Sequence, residues 1–165
     1  MKWKKKKKGQ RFLRSVIINL LRIFNGWMSW KSRIIIVTYW NSDALVFAFF
    51  FFSSQSEFSK CISGVILHHE TVYEKTTDGI DMIELLRQRN VVPGIKVDKG
   101  LVPLFGAKNE NTTEGLDNLQ ERCIQYKRDG CHFAKWRCTF SITETTPSQL
   151  AMVTNADVLA RFIIS

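Results

Sequence analysis

Three short, nearly continuous apolar runs separated by helix-patterned stretches constrain the fold of this chain more than any other feature. They are Ile62-Ser-Gly-Val-Ile-Leu-His, Val91-Val-Pro-Gly-Ile-Lys-Val-Asp and Cys131-His-Phe-Ala-Lys-Trp-Arg-Cys-Thr-Phe. A run that is apolar at nearly every position fits a strand covered on both faces. After the first run, Asp78-Gly79 signals a turn, and Met82, Ile83, Leu85 and Leu86 predict a short helix ending near Asn90. After the second come a polar loop over residues 106–113, Thr112 or Thr113 as a cap, and a helix with Leu116, Leu119, Cys123 and Tyr126 on one face. Gly130 is a suitable stop for that helix, with Lys127 and Arg128 in its last turn. After the third, Thr146-Pro147 reads as a cap followed by proline at the first helical position, with the helix running through Leu150, Val153, Val158 and Leu159. Strands alternating with helices predict parallel βαβ units. The expected fold is therefore α/β, with parallel strands near 62–68, 92–97 and 132–139.

The stretch before Cys61 has a different composition. Residues 1–60 hold 12 Lys and Arg against two acidic residues, whereas residues 61–165 hold 12 against 13. Eight of the 12 Phe lie before Cys61, and all three Pro lie after it. A basic nucleic-acid-binding domain would spread its charge over the folded part, so no nucleic-acid partner is expected. The opening Met-Lys-Trp-Lys-Lys-Lys-Lys-Lys reads as a solvated cationic tail. Phe12, Val16, Ile17, Leu20, Leu21, Ile23 and Phe24, with Arg11, Arg14 and Arg22 interspersed, predict a basic amphipathic helix. Residues 34–52 are apolar enough to raise the question of a membrane span, which needs about 20 apolar residues. Asp43 would then sit near the bilayer centre at a cost of about 3 kcal/mol, so a membrane partner is not expected. Lysines 5–8 and the run Phe47-Ala-Phe-Phe-Phe-Phe-Ser-Ser also resemble translated adenine-rich and pyrimidine-rich tracts. Residues 1–60 are accordingly expected to be a separate segment that does not join the sheet. It is either translated non-coding sequence or a weakly membrane-associating region.

Several chemistries are excluded by what the motifs lack. No GxGxxG or GxxxxGK[ST] opens a helix, which argues against a nucleotide-binding domain. Cys61, Cys123, Cys131 and Cys138 include no CxxC pair, so no metal site is expected, and buried reduced thiols fit a cytoplasmic protein. His68-His69-Glu70 lacks the helix of an HExxH motif and reads as strand-end residues. The informative feature is cations placed on apolar strands: Lys96 on the second, Lys135 and Arg137 on the third. Residues i and i+2 share a strand face, so Lys135 and Arg137 project together with Phe133. Cations on a covered strand need carboxylates, such as Asp98, or a bound anion. The anion alternative is a phosphate site at one end of a parallel sheet.

A family resemblance is carried by six blocks in order: Cys61-Ile-Ser-Gly-Val-Ile-Leu-His-His-Glu-Thr-Val-Tyr-Glu-Lys, Val92-Pro-Gly-Ile-Lys-Val-Asp-Lys-Gly-Leu-Val-Pro-Leu, Thr113-Glu-Gly-Leu-Asp-Asn-Leu-Gln-Glu-Arg-Cys, Gln125-Tyr-Lys-Arg-Asp-Gly, Phe133-Ala-Lys-Trp-Arg-Cys and Asn155-Ala-Asp-Val-Leu-Ala-Arg. Over residues 61–162 the chain resembles class I (Schiff-base) fructose-bisphosphate aldolase. The resemblance implies a partial TIM (β/α)₈ barrel over residues 61–165, made of three consecutive parallel βα units. It implies the glycolytic, reversible cleavage of fructose 1,6-bisphosphate to dihydroxyacetone phosphate and glyceraldehyde 3-phosphate, with no cofactor. A lysine Schiff base acts as the electron sink. Lys96 and Lys135 match catalytic lysines of the family, and Lys135 and Arg137 match its substrate-phosphate contacts. The Schiff-base lysine and the acid/base glutamate belong to later strands than these residues include. The 165 residues alone are therefore expected to be inactive. The family suggests a homotetramer and a small-molecule sugar phosphate as partner. The alternative is a non-catalytic sugar-phosphate-binding protein or a membrane-anchored regulatory protein.

Overall fold

In the computed structural model, residues 14–23, 34–37, 62–76 and 78–165 are described. The strands are β1 (Arg14–Ile23), β2 (Ile34–Val37), β3 (Ile62–Leu67), β4 (Val92–Lys96), β5 (Gly100–Pro103), β6 (Asn111–Glu114) and β7 (Phe133–Ile142). The helices are α1 (His69–Val72), α2 (Met82–Gln88), α3 (Leu119–Arg128) and α4 (Gln149–Ile164). Five strands form one sheet in the order β1-β7-β4-β3-β2. Within it β2, β3, β4 and β7 run parallel, while β1 runs antiparallel to β7. The three strands expected from the apolar runs are therefore present, parallel and adjacent. The sheet is open, with β1 and β2 at its two edges.

The two faces of this sheet carry different residues because side chains alternate along a strand. Val65, Leu67, Ile95, Ala134, Trp136 and Cys138 join the main core with Leu85 and Leu86 of α2, Leu119 and Cys123 of α3, and Val158 and Phe162 of α4. Trp136 has no exposed surface, and its ring stacks on Phe162 with centroids 5.4 Å apart. On the other face Phe133 is buried over two glycines. A Cβ on Gly94 would lie 2.4 Å from the Phe133 ring, and one on Gly64 would lie 3.4 Å from it. The two glycines of the apolar runs thus make room for one aromatic ring.

Several sequence expectations are corrected. Residues 14–23 form a strand, where an amphipathic helix was expected, and they join the sheet. Val16, Ile17, Ile18 and Ile23 are β-branched and suit a strand. All ten residues of β1 register against β7, from Arg14 opposite Ile142 to Ile23 opposite Phe133. A long sheet edge with unpaired amides and carbonyls is the stronger local demand. Ile34–Val37 likewise joins the sheet beside β3, and these four residues are the only described part of the 34–52 apolar run. The cationic run at residues 1–8, the Phe-rich run and Cys61 lie outside the described residues. Among the described residues, no helix is long and apolar enough to cross a membrane.

The loop between β4 and α3 also differs from expectation. It contains the antiparallel pair β5–β6, in which Thr112 and Thr113 face Val102 and Leu101 instead of capping a helix. The following helix starts later, after Asn118, which adopts the left-handed conformation at φ 51°. At the last helix the cap is Ser148 and not Thr146. Its Oγ accepts the Ala151 amide at 3.1 Å, and its own amide donates to the Glu110 carboxylate at 2.8 Å. The expected stop of α3 at Gly130 is present with φ 101°.

Candidate functional site

Parallel pairing sets the geometry of the candidate site. Leu67 of β3 stands opposite Ile95 of β4, and Lys96 stands opposite Lys135 of β7. One residue further along β3, His68 keeps an extended backbone at φ −85° and ψ 165°. His68, Lys96 and Lys135 therefore form one row across the sheet, at the C-terminal ends of β3 and β4 and beside the third residue of the longer β7. The row below it is Ile66, Gly94 and Phe133. Ligands of parallel α/β sheets bind at this end.

Asp98 ties the row together. Its Oδ1 lies 2.9 Å from Lys96 Nζ, and its Oδ2 lies 4.0 Å from Lys135 Nζ. Lys96 Nζ also donates to the Asp98 carbonyl at 2.8 Å. Lys135 has no exposed surface and Asp98 is 4% exposed, whereas Lys96 keeps part of its surface open. Taking an ammonium out of water costs several kcal/mol unless a carboxylate and hydrogen bonds compensate, and Asp98 supplies both to Lys96. Desolvation by burial, followed by the neighbouring charge of Lys96, holds the His68 imidazole below its usual pKa.

The backbone under these side chains is itself held. Val97 donates its amide to the Lys135 carbonyl at 3.1 Å, which extends the β4–β7 ladder past Lys96. Arg122 of α3 donates to the Val97 carbonyl at 2.9 Å and to the Gly115 carbonyl. Gly115 has φ 119°, and a Cβ there would lie 2.8 Å from the Lys99 amide nitrogen. A residue with a side chain would push the loop off the strand end that carries Asp98.

Of the three residues singled out from sequence, Lys96 and Lys135 are neighbours. Arg137 follows two positions along β7 on the same face, beyond the end of the β4 pairing, and is partly buried. Its carbonyl accepts the Thr113 hydroxyl at 2.6 Å, which ties β6 to β7. The sequence alone offers Asp98 only as an ion-pair neighbour and His68 only as a strand-end residue. Arg122 was missed, because a charged residue on an amphipathic helix carries no signal of what it will reach. Adjacent histidines diverge here. His69 turns to the helix layer, where its Nδ1 hydrogen-bonds with the Tyr126 hydroxyl at 2.9 Å.

Other chemistry lies elsewhere or is lacking among the described residues. A cavity of about 340 Å³ lined by Tyr73, Asp81, Glu84, Arg87 and Asp129 belongs to the outer helix layer, away from the lysine row. No described group of three or more His, Cys, Asp or Glu side chains could hold a metal ion. Cys123, Cys131 and Cys138 are buried free thiols, and burial followed by the Asp129 charge pushes Cys131 up to about 12.

Comparison with known proteins agrees with this geometry. The family model for fructose-bisphosphate aldolase class-I matches residues 30–165, reaching back across the composition break at residue 60. A fructose-bisphosphate aldolase of Echinococcus multilocularis is 62% identical over 111 residues, covering 67% of this chain and 31% of that protein. Fructose-bisphosphate aldolase C of Homo sapiens is 54% identical over 111 residues, with 67% and 30% covered. The chain thus spans about a third of the length of these curated relatives. Among solved structures, a fructose-bisphosphate aldolase from Plasmodium falciparum, in a ternary complex with TRAP and a small-molecule inhibitor, superposes with a TM-score of 0.67 at 34% identity. That match covers 79% of this chain and 43% of the other. The parallel sheet, the order of the motif blocks and these matches together place the chain in the class-I fructose-bisphosphate aldolase family, a lyase family of TIM-barrel fold.

Proposed function

We propose that this chain carries a sugar-phosphate-binding portion of a class-I aldolase barrel, in which Lys96, Lys135 and Arg137 receive fructose 1,6-bisphosphate or its triose phosphate products. The observation that carries this reading is the registered pair Lys96–Lys135, with Asp98 within 4.0 Å of both ammonium groups, where β4 ends against the parallel strand β7. Buried cations held close together gain from an incoming anion, because their attraction to it is screened little by water. In the family reaction a ketone on the substrate condenses with a lysine amine, and water leaves. The iminium then accepts the electron pair of the C3–C4 bond as that bond breaks. Lys96 and Lys135 serve this step by offsetting negative charge on phosphate and on the developing oxyanion.

The iminium-forming lysine and the proton-shuttling glutamate belong, by resemblance, to later barrel strands. On this reading the 165 residues bind sugar phosphate without turning it over. The test pairs calorimetric titration with fructose 1,6-bisphosphate and borohydride trapping followed by mass spectrometry. Saturable binding weakened roughly 10- to 100-fold by Lys135→Met is expected for a lost charge-assisted contact. A covalent adduct on Lys96 or Lys135 accompanied by turnover would overturn the inactive part of the proposal.

The remaining expectations extend the same proposal. The family supports a homotetramer in the cytoplasm, which sedimentation and cell fractionation test. The change in composition near residue 60 supports a separate origin for much of residues 1–60, the part before the family match at residue 30 in particular. Transcript sequencing across codons 52–64 tests it, and a single continuous spliced message in cells would count against it.

A further inference from the structure

His68 occupies the one place in the lysine row that the proposed chemistry leaves unused. Its row position follows from register, since Leu67 faces Ile95 and the extended backbone continues one residue further. Its face follows from alternation. Gly64 looks onto the Phe133 ring, so Gly64, Ile66 and His68 share the face that carries Lys96 and Lys135. Its backbone is anchored, because the His68 carbonyl accepts the Val72 amide at 3.2 Å at the start of α1. The residue is half-buried, and its Nε2 is out of contact with solvent.

We propose that His68 contacts substrate in this site, its imidazole hydrogen-bonding a hydroxyl of the sugar phosphate whose phosphate is taken by the neighbouring lysines. The proposal rests on the sugar-phosphate reading given above. Four charged groups act on this ring: Lys96 and Asp98 from the β4 end, Lys135 from β7 and Glu70 from α1. Burial and Lys96 together favour the neutral imidazole. A neutral imidazole offers one N–H donor and one lone pair. That pairing suits a hydroxyl, which can both donate and accept, and suits a phosphate less well than an ammonium does. His68 thus gives the site a means of separating a polyhydroxylated phosphate ester from inorganic phosphate.

The test uses the full 165-residue chain with fructose 1,6-bisphosphate and with inorganic phosphate as the bare-anion probe. His68→Phe keeps a ring and removes the hydrogen-bonding atoms, and His68→Gln keeps a donor and an acceptor. Loss of one neutral hydrogen bond predicts roughly two- to tenfold weaker binding of the bisphosphate by His68→Phe, with inorganic phosphate unchanged and His68→Gln close to the parent. A measurement on the unmutated chain guards against a folding defect. Among the three histidines, only the His68 imidazole resonance should move on saturation with the bisphosphate, while His69 and His132 stay in place. If binding depends on Lys135 but the His68 resonance is still and His68→Phe binds equally well, the His68 proposal falls and the sugar-phosphate reading stands. If the chain binds neither ligand, or Lys135→Met binds as the parent does, both fall.

Discussion

Asp98 holds Lys96 twice, through its carboxylate at 2.9 Å and through its own main-chain carbonyl at 2.8 Å. The two residues are separated by Val97 alone, so the pair closes a short loop at the end of β4. The second carboxylate oxygen is left facing Lys135. One acidic side chain thereby sets the positions of two ammonium groups on adjacent strands.

Replacing Asp98 by Ala removes that carboxylate from a site where Lys135 has no exposed surface. Breaking a buried ion pair from one side costs about 3–5 kcal/mol. Urea unfolding followed by tryptophan fluorescence should show a loss of that order. A change under about 1 kcal/mol, typical of surface pairs, would mean that the lysines are held by other means.

The fit of Phe133 over Gly94 sets a second expectation. An added methyl group at residue 94 would start 2.4 Å from the ring, so Gly94→Ala should destabilise by about 1–3 kcal/mol through overpacking. Combining it with Phe133→Leu should cost less than the sum of the two single changes, because the smaller side chain vacates the space the methyl group enters. Thermal unfolding of the four proteins measures this coupling, and simple additivity would contradict it.

Tyr73 donates a 2.6 Å hydrogen bond to the Asp129 carboxylate. That bond, followed by desolvation, raises the phenol from 10.0 to about 12. A folded-state pKa above the unfolded one favours the fold fully below pH 10, and the contribution fades as pH rises toward 12. Alkaline titration of phenolate absorbance should show a tyrosine ionising near 12, and Asp129→Asn should bring that step back down toward 10.

Removing residues 1–33 takes away β1 and uncovers the β7 edge along the ten positions it now pairs. Exposed strand edges recruit other strands. Light scattering should report larger assemblies than for the full chain at equal concentration. An unchanged mass would show that β1 is dispensable as an edge cover.

The central part of this fold was legible because its signals are local. A strand covered on both faces must be apolar throughout, and residues 62–67, 92–96 and 133–139 are nearly so. Helices α2 and α3 followed from apolar spacing, and the stop at Gly130 from the need for a positive φ. The elements that were misread depend on partners remote in sequence. Residues 14–23 carry both a helical spacing and a β-branched content, and pairing with β7 favours the strand. Thr112 and Thr113 suit a cap or a strand equally, and the facing residues Leu101 and Val102 decide between them.

The sequence by itself determined which cations sit on strands and that Lys135 and Arg137 share a face, since alternation is a property of one strand. It also determined the order of strands and helices that makes the central sheet parallel. Only the tertiary structure decided that Lys96 and Lys135 are neighbours and that His68 completes their row. It alone decided that Asp98 answers two cations and that Arg122 reaches across from α3 to hold the strand end. Register between strands is set by packing across the whole sheet, here by Phe133 settling over Gly64 and Gly94. That packing joins residues about 30 to 70 positions apart, so no local pattern in the chain records it.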